Sequence, residues 1–267
     1  MSGLRARLDA GKVQIGLCSM FPMPGIIERI GKDWDFVWID AQHGLYDYRD
    51  QVDAVRACEI AGTGSLVRVP WLEAGAIGKA LDTGCDGVIV PCVDYLEEAR
   101  AAVDAAKFPP LGRRSYGGRR QIDREGRAYY ETANHDQLLV VQIESPKSVE
   151  LADQIAAVPG VDALMIGPDD LLLRRGEDLN APRTPDTLRS ELEQIAKAAH
   201  AHGKYLIGLG SDEPMIGLLR ELGYHMIISG GDVPFLANGS AAAASRARKA
   251  IDGFASVTGG AGGSGPY

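Results

Sequence analysis

Eight short apolar runs, spaced evenly along the chain and separated by segments with helical spacing, limit the folds open to this sequence. Each run has the length of a strand, is rich in β-branched residues and is nearly continuous, as in strands buried on both faces. The runs occupy residues 13–18, 35–40, 64–69, 86–91, 138–144, 162–167, 204–210 and 225–229. Strands that alternate with helices predict a parallel sheet, and eight such units predict closure as a (β/α)8 TIM barrel, an α/β fold.

A doubly wound open sheet is the alternative fold. Such a sheet normally carries a Gly-rich phosphate-binding turn after its first strand, whereas SMFPMPG follows the first run here. The chain has 267 residues, which fits one barrel of about 250 residues. We therefore predict a single barrel domain over residues 1–256 and a Gly-rich, disordered tail over 257–267 with no part in function.

Composition narrows the classes of function. A net charge of −8 and an isoelectric point near 5.2 argue against a general nucleic-acid-binding protein. No apolar run approaches the ~18–20 residues of a membrane span, and the polar N-terminal segment 1–12 lacks the apolar region of a signal peptide. The cysteines have no metal-ligand spacing, which predicts reduced thiols. We expect a cytoplasmic enzyme that acts on a small molecule, with no nucleic-acid or membrane partner.

Polar side chains cluster where the predicted strands end. In a TIM barrel the catalytic groups come from the C-terminal ends of the strands, so these residues are the candidates for the active site. They are Asp40 and His43 after the second run, Arg68 in the third, Gln142 and Glu144 in the fifth, and Asp169 and Asp170 after the sixth.

Glu144 and Asp170 are candidate metal ligands. Unpaired carboxylates at the ends of buried strands are costly, and two on adjacent strands repel each other unless a cation lies between them. Oxygen ligands without a cysteine or histidine cluster suit Mg²⁺ or Mn²⁺. The alternative is that one of the two carboxylates caps the helix that follows it.

His43 is the candidate general base. It lies three residues after Asp40 at a strand end, where an imidazole can exchange protons near neutral pH. Asp82, at the end of a predicted helix, is expected to have a tertiary partner and could orient that imidazole. The alternative is that His43 has a structural role.

Arg68 requires an anion, because a buried guanidinium without one is unfavourable. An enolate or carboxylate at the barrel mouth could supply it, and so could a carboxylate on a neighbouring strand. The stretch 109–120, PPLGRRSYGGRR, is a basic Gly-rich loop, and its segment Arg113–Arg120 could bind an anionic substrate, contact a neighbouring subunit or be a solvated surface loop.

The motifs WIDAQHG, VRVP, LDTG, VPCV, PPLGRRS, QIES, IGPDDL and SGGD, in this order, resemble those of the HpcH/HpaI family of metal-dependent class II pyruvate aldolases. This family is typified by 4-hydroxy-2-oxoheptanedioate aldolase. The resemblance extends over about residues 4–252. It implies a barrel of the phosphoenolpyruvate/pyruvate-binding type, with His43 as the catalytic base, Asp82 as the residue that raises its basicity, and Arg68 as the group that stabilises the enolate oxygen.

The resemblance also implies a metal site and substrate contacts. Glu144 and Asp170 occupy the positions of the metal ligands, for Mg²⁺, Mn²⁺ or Co²⁺. Gln142, Arg68 and the backbone amide of Asp169 occupy positions that contact substrate. The family further implies a homo-oligomer, commonly a hexamer built by exchange of the last helix between subunits.

The implied reaction is reversible aldol cleavage of a 4-hydroxy-2-oxo acid into an aldehyde and pyruvate, or a close 2-oxo acid such as hydroxypyruvate. The alternative is another reaction through the same enolate: oxaloacetate decarboxylation, or a citrate-synthase-like condensation. Two residues depart from the family pattern, Gln42 where a glutamate is usual and Asp169 where a small residue is usual. We expect the added carboxylate of Asp169 to disfavour an anionic donor unless Arg68 or the basic loop compensates.

Overall fold

Eight parallel strands form a closed barrel, which confirms the predicted fold. We describe it from a computed structural model that covers residues 3–181 and 183–258, with the backbone alone for 255–258. The strands are β1 (Gln14–Ser19), β2 (Phe36–Asp40), β3 (Gly64–Arg68), β4 (Gly87–Val90), β5 (Leu138–Ile143), β6 (Ala163–Ile166), β7 (Tyr205–Leu209) and β8 (Met226–Gly231). They pair in chain order, and β8 pairs with β1 to close the barrel.

Helices connect the strands on the outside of the barrel. They are α1 (Leu4–Asp9), α2 (Pro24–Ile30), α3 (Tyr48–Ala61), α4 (Ala74–Asp82), α5 (Leu96–Ala106), α6 (Arg119–Glu125), α7 (Tyr130–Asp136), α8 (Pro146–Glu150), α9 (Ala152–Ala156), α10 (Pro168–Arg174), α11 (Pro185–Ala201), α12 (Glu213–Glu221) and α13 (Asp232–Thr258). Short 3₁₀ helices cover Gly31–Asp33 and Arg127–Tyr129.

Local sequence signals set the helix bounds. In α3, the side chain of Asp47 accepts a hydrogen bond from the Asp50 N–H and the Asp50 side chain accepts one from the Asp47 N–H, which fixes the first turn. The same helix ends at Gly62, whose φ of 74° is left-handed. Two details differ from the sequence pattern. The helical segment between the fifth and sixth apolar runs is two short helices that meet at Leu151, and the basic stretch 109–120 ends in the first turn of α6.

The side chains inside the barrel show at which of its two ends the site lies. Alternate strand residues face inward, and Phe36, Trp38 and Leu66 are buried there in one apolar cluster. Leu4 of α1 joins this cluster and closes the N-terminal end, where its N–H donates to Asp86 Oδ1 at 3.2 Å. At the opposite end, the same inward faces continue with polar side chains, so the barrel opens at its C-terminal end.

The last helix is the element that the barrel packs least. The side chains of residues 233–254 in α13 are exposed, although they include Ile251 and Phe254. The helix extends to Thr258, two residues into the predicted tail, and residues 259–267 lie outside the described residues. No helix in the described part of the chain is long and apolar enough to cross a membrane.

Candidate active site

An ion pair lies across the mouth of the barrel at the ends of β2 and β3. Arg68 Nε donates to Asp40 Oδ1 at 2.9 Å, and Arg68 Nη2 donates to Asp40 Oδ2 at 2.5 Å. Both side chains are buried, so this bidentate geometry offsets the cost of desolvating the two charges. Of the anions that the sequence allowed as partners of Arg68, the carboxylate on a neighbouring strand is present. It holds the guanidinium at the mouth.

The other faces of Arg68 are also occupied. Its Nη1 lies 3.4 Å from Gln142 Oε1 on β5, which brings the predicted substrate-contacting glutamine to the same end of the barrel. Its Cζ lies 4.6 Å from the centre of the Trp38 ring, a cation–π distance. The guanidinium is thus fixed in direction before any substrate enters, as electrostatic catalysis requires.

Glu144 presents a buried carboxylate oxygen without a partner. Its Oε1 accepts a hydrogen bond of 2.6 Å from the N–H of Cys92, which has a left-handed φ of 55°. Its Oε2 is buried and has no hydrogen-bond partner among the described residues. Burial raises the pKa of the Glu144 carboxyl, the side chain and the backbone N–H of Cys92 oppose that rise, and the nearby charge of Asp170 adds to it. A buried carboxylate oxygen without a hydrogen-bond partner is energetically unfavourable. Glu144 is therefore suited to bind a cation.

The backbone approaches this oxygen closely at a glycine, where no side chain would fit. Gly167 follows β6, and a Cβ atom at this position would lie 2.4 Å from Glu144 Oε2 and 2.5 Å from Gln142 Nε2. Neither predicted ligand caps a helix, because Ser145 caps α8 and Gly167 precedes α10. Asp170 is half-buried in the first turn of α10. The two carboxylates therefore fit a hard divalent cation, with the remaining coordination positions left to water and substrate.

No larger cluster replaces this pair. In residues 3–181 and 183–258, no group of three or more histidine, cysteine, aspartate or glutamate side chains has the geometry to hold a metal ion. A two-carboxylate site is what the sequence predicts from Glu144 and Asp170.

His43 and Asp82 lie in different places. The His43 side chain is exposed and lines the mouth cavity with Arg68, and its backbone N–H lies 3.3 Å from Asp40 Oδ1. Asp82 ends α4 and accepts a hydrogen bond from Arg114 Nη2 at 3.1 Å, so the expected tertiary partner exists but is not the histidine. Asp82 and Arg114 line a separate cavity of about 700 Å³ beside α4 and α5. Within one chain the structure does not bring Asp82 to His43.

The sequence of this chain matches known proteins over most of its length. The profile of the HpcH/HpaI aldolase/citrate lyase family matches residues 23–239. The chain belongs to this family.

Individual relatives and solved structures agree with that assignment. A 4-hydroxy-2-oxovalerate aldolase from Novosphingobium aromaticivorans is 33% identical over 254 residues, which are 94% of this chain and 96% of the relative. The crystal structure of an HpcH/HpaI aldolase from Desulfitobacterium hafniense DCB-2 has a TM-score of 0.82 and 29% identity, and the match covers 93% of this chain and 97% of that chain. The citrate synthase SbnG also has a TM-score of 0.82, with 28% identity and coverage of 94% and 99%.

In this HpcH/HpaI family member, an arginine pairs with the additional carboxylate at the mouth, that of Asp169. Asp169 is exposed and lies 2.9 Å from Arg183 Nη1, an arginine in the connection between α10 and α11. The sequence named Arg68 and the basic loop as groups that could compensate this charge, whereas the structure pairs Asp169 with Arg183 and Arg68 with Asp40. Sequence reasoning missed Arg183, since only the path of the connection brings it to the mouth.

The arginines of the basic loop in this family member pair with groups away from the mouth cavity. Arg114 is buried and donates to Gln137, Gln121 and Asp82. The ion pairs of the loop are Arg113 with Asp104, Arg114 with Asp82, Arg119 with Asp123, and Arg120 with Glu59. None of these arginines lines the mouth cavity. Within one chain, the loop therefore stabilises its own surroundings.

The mouth cavity reveals one more residue that the sequence did not single out. Trp38 lies two residues before Asp40, faces the barrel interior and lines the cavity. Its indole Nε1 is buried and has no hydrogen-bond partner in the part of the chain that the structure describes. Strand alternation from Asp40 places Trp38 inward, but its unpaired donor is visible only in three dimensions.

Proposed function

We propose that this enzyme is a divalent-metal-dependent aldolase that reversibly cleaves a 4-hydroxy-2-oxo acid into pyruvate, or a close 2-oxo acid such as hydroxypyruvate, and an aldehyde. The observation that carries the proposal is the buried, unpartnered oxygen of Glu144 beside Asp170, at the same barrel mouth as Arg68. Aldol cleavage releases an enolate, and this arrangement combines a cation site with a fixed guanidinium for the charge that develops.

Glu144 and Asp170 would hold the cation. When bound, Mg²⁺, Mn²⁺ or Co²⁺ supplies a Lewis acid for the carbonyl of the 2-oxo acid. The buried, unpartnered oxygen of Glu144 and the nearby charge of Asp170 fit such an ion. The backbone N–H of Asp169 lies in the first turn of α10, where N–H groups lack helical acceptors, and is the proposed contact for the substrate carboxylate.

The side chains of the mouth have separate roles in the proposed reaction. His43 takes the proton from the C4 hydroxyl in cleavage, and in the reverse direction it takes a proton from C3 of the donor. Arg68 stabilises the negative charge that develops on the keto oxygen, and Gln142 helps to hold Arg68 and the substrate. The residues that line the mouth cavity in the described chain include no lysine, which argues against a Schiff base.

The proposed role of Asp82 needs a second copy of the chain, because within one chain Asp82 pairs with Arg114. The exposed side chains of α13 support a homo-oligomer in which this helix packs on a neighbouring subunit. Ile15 of β1 is 43% exposed on the barrel surface, which is apolar area available to such a helix. We propose a hexamer with an exchanged last helix, acting in the cytoplasm on small molecules.

Other reactions through the same enolate remain the alternative. The similarity to the citrate synthase SbnG matches a condensation, but it is no stronger than the similarity to the aldolases. The curated relative with 33% identity is an aldolase, so we favour aldol cleavage over oxaloacetate decarboxylation or citrate-synthase-like condensation.

Proton exchange at C3 of pyruvate tests the proposal without any choice of aldehyde. In D₂O with Mg²⁺, NMR should show loss of the methyl proton signal, and addition of acetaldehyde should give a 4-hydroxy-2-oxo acid by mass spectrometry. A chelator and the Glu144→Gln variant should both abolish exchange. Absence of exchange and adducts with pyruvate and hydroxypyruvate, or covalent trapping by borohydride, would refute the proposed mechanism.

A further inference from the structure

Asp94 joins the three chain segments that carry the proposed metal site. It lies in the loop after β4, and its Oδ1 accepts a hydrogen bond of 2.6 Å from Ser145 Oγ, next to Glu144. Its Oδ2 lies 2.9 Å from Nη1 of Arg174 in α10, the helix whose first turn contains Asp170. The inference drawn from these contacts rests on the proposed function, in which Glu144 and Asp170 hold a divalent cation.

The backbone around Asp94 is fixed independently of the Asp94 side chain. The N–H groups of Asp94 and Tyr95 donate to Glu98 Oε2 at 2.7 and 3.0 Å, at the start of α5. Two residues before Asp94, Cys92 has a left-handed φ of 55°, and its N–H donates to Glu144 Oε1. A strained residue of this kind persists only where the surrounding structure holds it. The Asp94 side chain can therefore be changed while these backbone contacts remain.

Arg174 is a cationic group close to Glu144. Its Nη2 lies 3.7 Å from the sulfur of Cys92, and the N–H of Cys92 lies 2.6 Å from Glu144 Oε1. Burial opposes the charged form of Arg174, but the charges of Asp94 and Glu144 raise the pKa of its guanidinium. The Glu144 carboxylate thus already attracts Arg174 across Cys92.

A guanidinium would neutralise Glu144 much as a metal ion would. Glu144 Oε2 is buried and has no hydrogen-bond partner among residues 3–181 and 183–258, and arginine forms strong, charge-assisted hydrogen bonds with carboxylates. An arginine bound to Glu144 would therefore compete with the cation. In the structure, Arg174 Nη1 donates instead to both oxygens of Asp94, at 3.2 and 2.9 Å. The ion pair with Asp94 keeps the guanidinium occupied.

We propose that Asp94 is a positioning residue of the metal site, which holds the guanidinium of Arg174 away from Glu144 and so leaves the carboxylates of Glu144 and Asp170 to the cation. Asp94 contacts neither the cation nor the substrate in this role, because it acts through Arg174. The role therefore has a signature that a ligand would not have: Asp94 is needed for tight metal binding only while Arg174 is present.

A double-mutant cycle with Asp94→Asn and Arg174→Gln tests this dependence. Calorimetry with Mn²⁺, on enzyme first stripped of metal with a chelator, gives the Kd of each variant. Asp94→Asn keeps an oxygen for Ser145 Oγ but releases Arg174, so its Kd should rise about tenfold, the effect of one hydrogen bond to a charged group. Arg174→Gln should change the Kd by less than about threefold, since solvent screens partly exposed charges. The double variant should return to near the wild-type Kd.

Steady-state assays give a readout that a merely structural role of Asp94 would not give. At saturating Mn²⁺, the kcat of Asp94→Asn should stay near that of wild type, while the Mn²⁺ concentration for half-maximal activity rises with the Kd. Asp104→Asn is the matched control, because it breaks the ion pair with Arg113 at the other end of α5 and should keep the wild-type Kd. A lower kcat at saturating Mn²⁺ with an unchanged Kd would overturn the proposal.

The outcomes separate this inference from the proposed function. If wild type binds no divalent cation, both proposals fail, and if it binds Mn²⁺ without C3 exchange of pyruvate, the aldolase proposal alone fails. If the double variant binds Mn²⁺ as weakly as Asp94→Asn, or the effects of the two substitutions simply multiply, the positioning proposal is wrong while the aldolase proposal stands.

Arg174→Gln keeps the inference testable even if Asp94→Asn does not fold. An unchanged Kd in this variant would support the proposal, since Arg174 is then without effect while Asp94 holds it. A Kd about tenfold lower than that of wild type would overturn it, because Arg174 would oppose the cation even when it is paired with Asp94.

Discussion

Replacing Glu144 by glutamine should separate the metal-binding role of this residue from a structural role. The change keeps an oxygen that can accept the 2.6 Å hydrogen bond from the Cys92 N–H and removes the negative charge of the carboxylate. In wild type, the unpartnered Oε2 and the nearby charge of Asp170 make the metal-free protein less stable than it would be with a neutral side chain. Binding of the cation should remove this destabilisation of the folded protein.

The expected magnitudes follow from ligand linkage. A cation present at 100 times its Kd stabilises the folded state by about 2.7 kcal/mol. For a domain near this size, each kcal/mol changes Tm by about 2–4 °C. Wild type should therefore gain about 5–10 °C in Tm with Mg²⁺ or Mn²⁺, and Glu144→Gln should gain almost nothing. In chelator, the variant should melt at the same temperature as wild type or higher.

The pH dependence provides a second measurement with a definite sign. Burial raises the pKa of the Glu144 carboxyl in the folded state, so the native chain binds more protons than the unfolded chain. Between the ordinary carboxyl pKa of about 4.3 and the raised folded value, the free energy of unfolding of chelated wild type should fall as pH rises. The Tm advantage of Glu144→Gln in chelator should grow over the same interval.

Differential scanning calorimetry with and without chelator measures both effects. Glu150→Gln is the matched control, since Glu150 is an exposed glutamate of α8 and should keep the wild-type metal response. An equal metal-induced rise in Tm for wild type and Glu144→Gln, with a lower Tm for the variant in chelator, would refute the assignment of Glu144 as a ligand. That result would instead indicate a structural carboxylate.

Three further predictions concern the other side chains of the site. His43→Ala should lower kcat for aldol cleavage by about 10²–10⁴-fold, the usual contribution of a general base, and calorimetry should show an unchanged metal-induced rise in Tm. Arg68→Ala should abolish detectable cleavage and also destabilise the fold by about 3–5 kcal/mol, because Asp40 keeps a buried charge without its partner; an unchanged free energy of unfolding in urea would contradict this. Arg114→Ala should lower Tm, since Gln137, Gln121 and Asp82 lose their shared donor, and steady-state assays should show the same relative change for charged and neutral aldehydes.

The barrel was predictable because its signal is local. Each buried parallel strand is visible in the sequence as a continuous apolar run. Eight such runs with helices between them are compatible with few folds other than the barrel. The same logic places polar residues at the C-terminal ends of strands, so Arg68, Gln142 and Glu144 could be assigned to the barrel mouth before the structure was known. Strand alternation, which repeats every two residues, then gives the side of each strand that they occupy.

Contacts between distant segments were not predictable in this way. Asp82 was expected to orient His43, but the basic loop folds back on α4 and supplies Arg114 as the partner. Asp169 was expected to leave an excess negative charge, but the connection to α11 brings Arg183 to 2.9 Å from it. Both outcomes depend on the path of irregular segments, whose conformations have no periodic signal in the sequence.

The distribution of charge around the mouth supports the proposed metal site. Across the described chain, the arginines near the mouth have carboxylate partners: Arg68 with Asp40, Arg174 with Asp94, and Arg183 with Asp169. Glu144 and Asp170 have no ion-pair partner among the described residues, so their negative charge is not balanced within the described chain. A divalent cation can neutralise these two carboxylates. The pairing of the mouth arginines therefore leaves the charge of Glu144 and Asp170 to a metal ion, which is why the two carboxylates and the three arginines are expected to respond differently to a chelator.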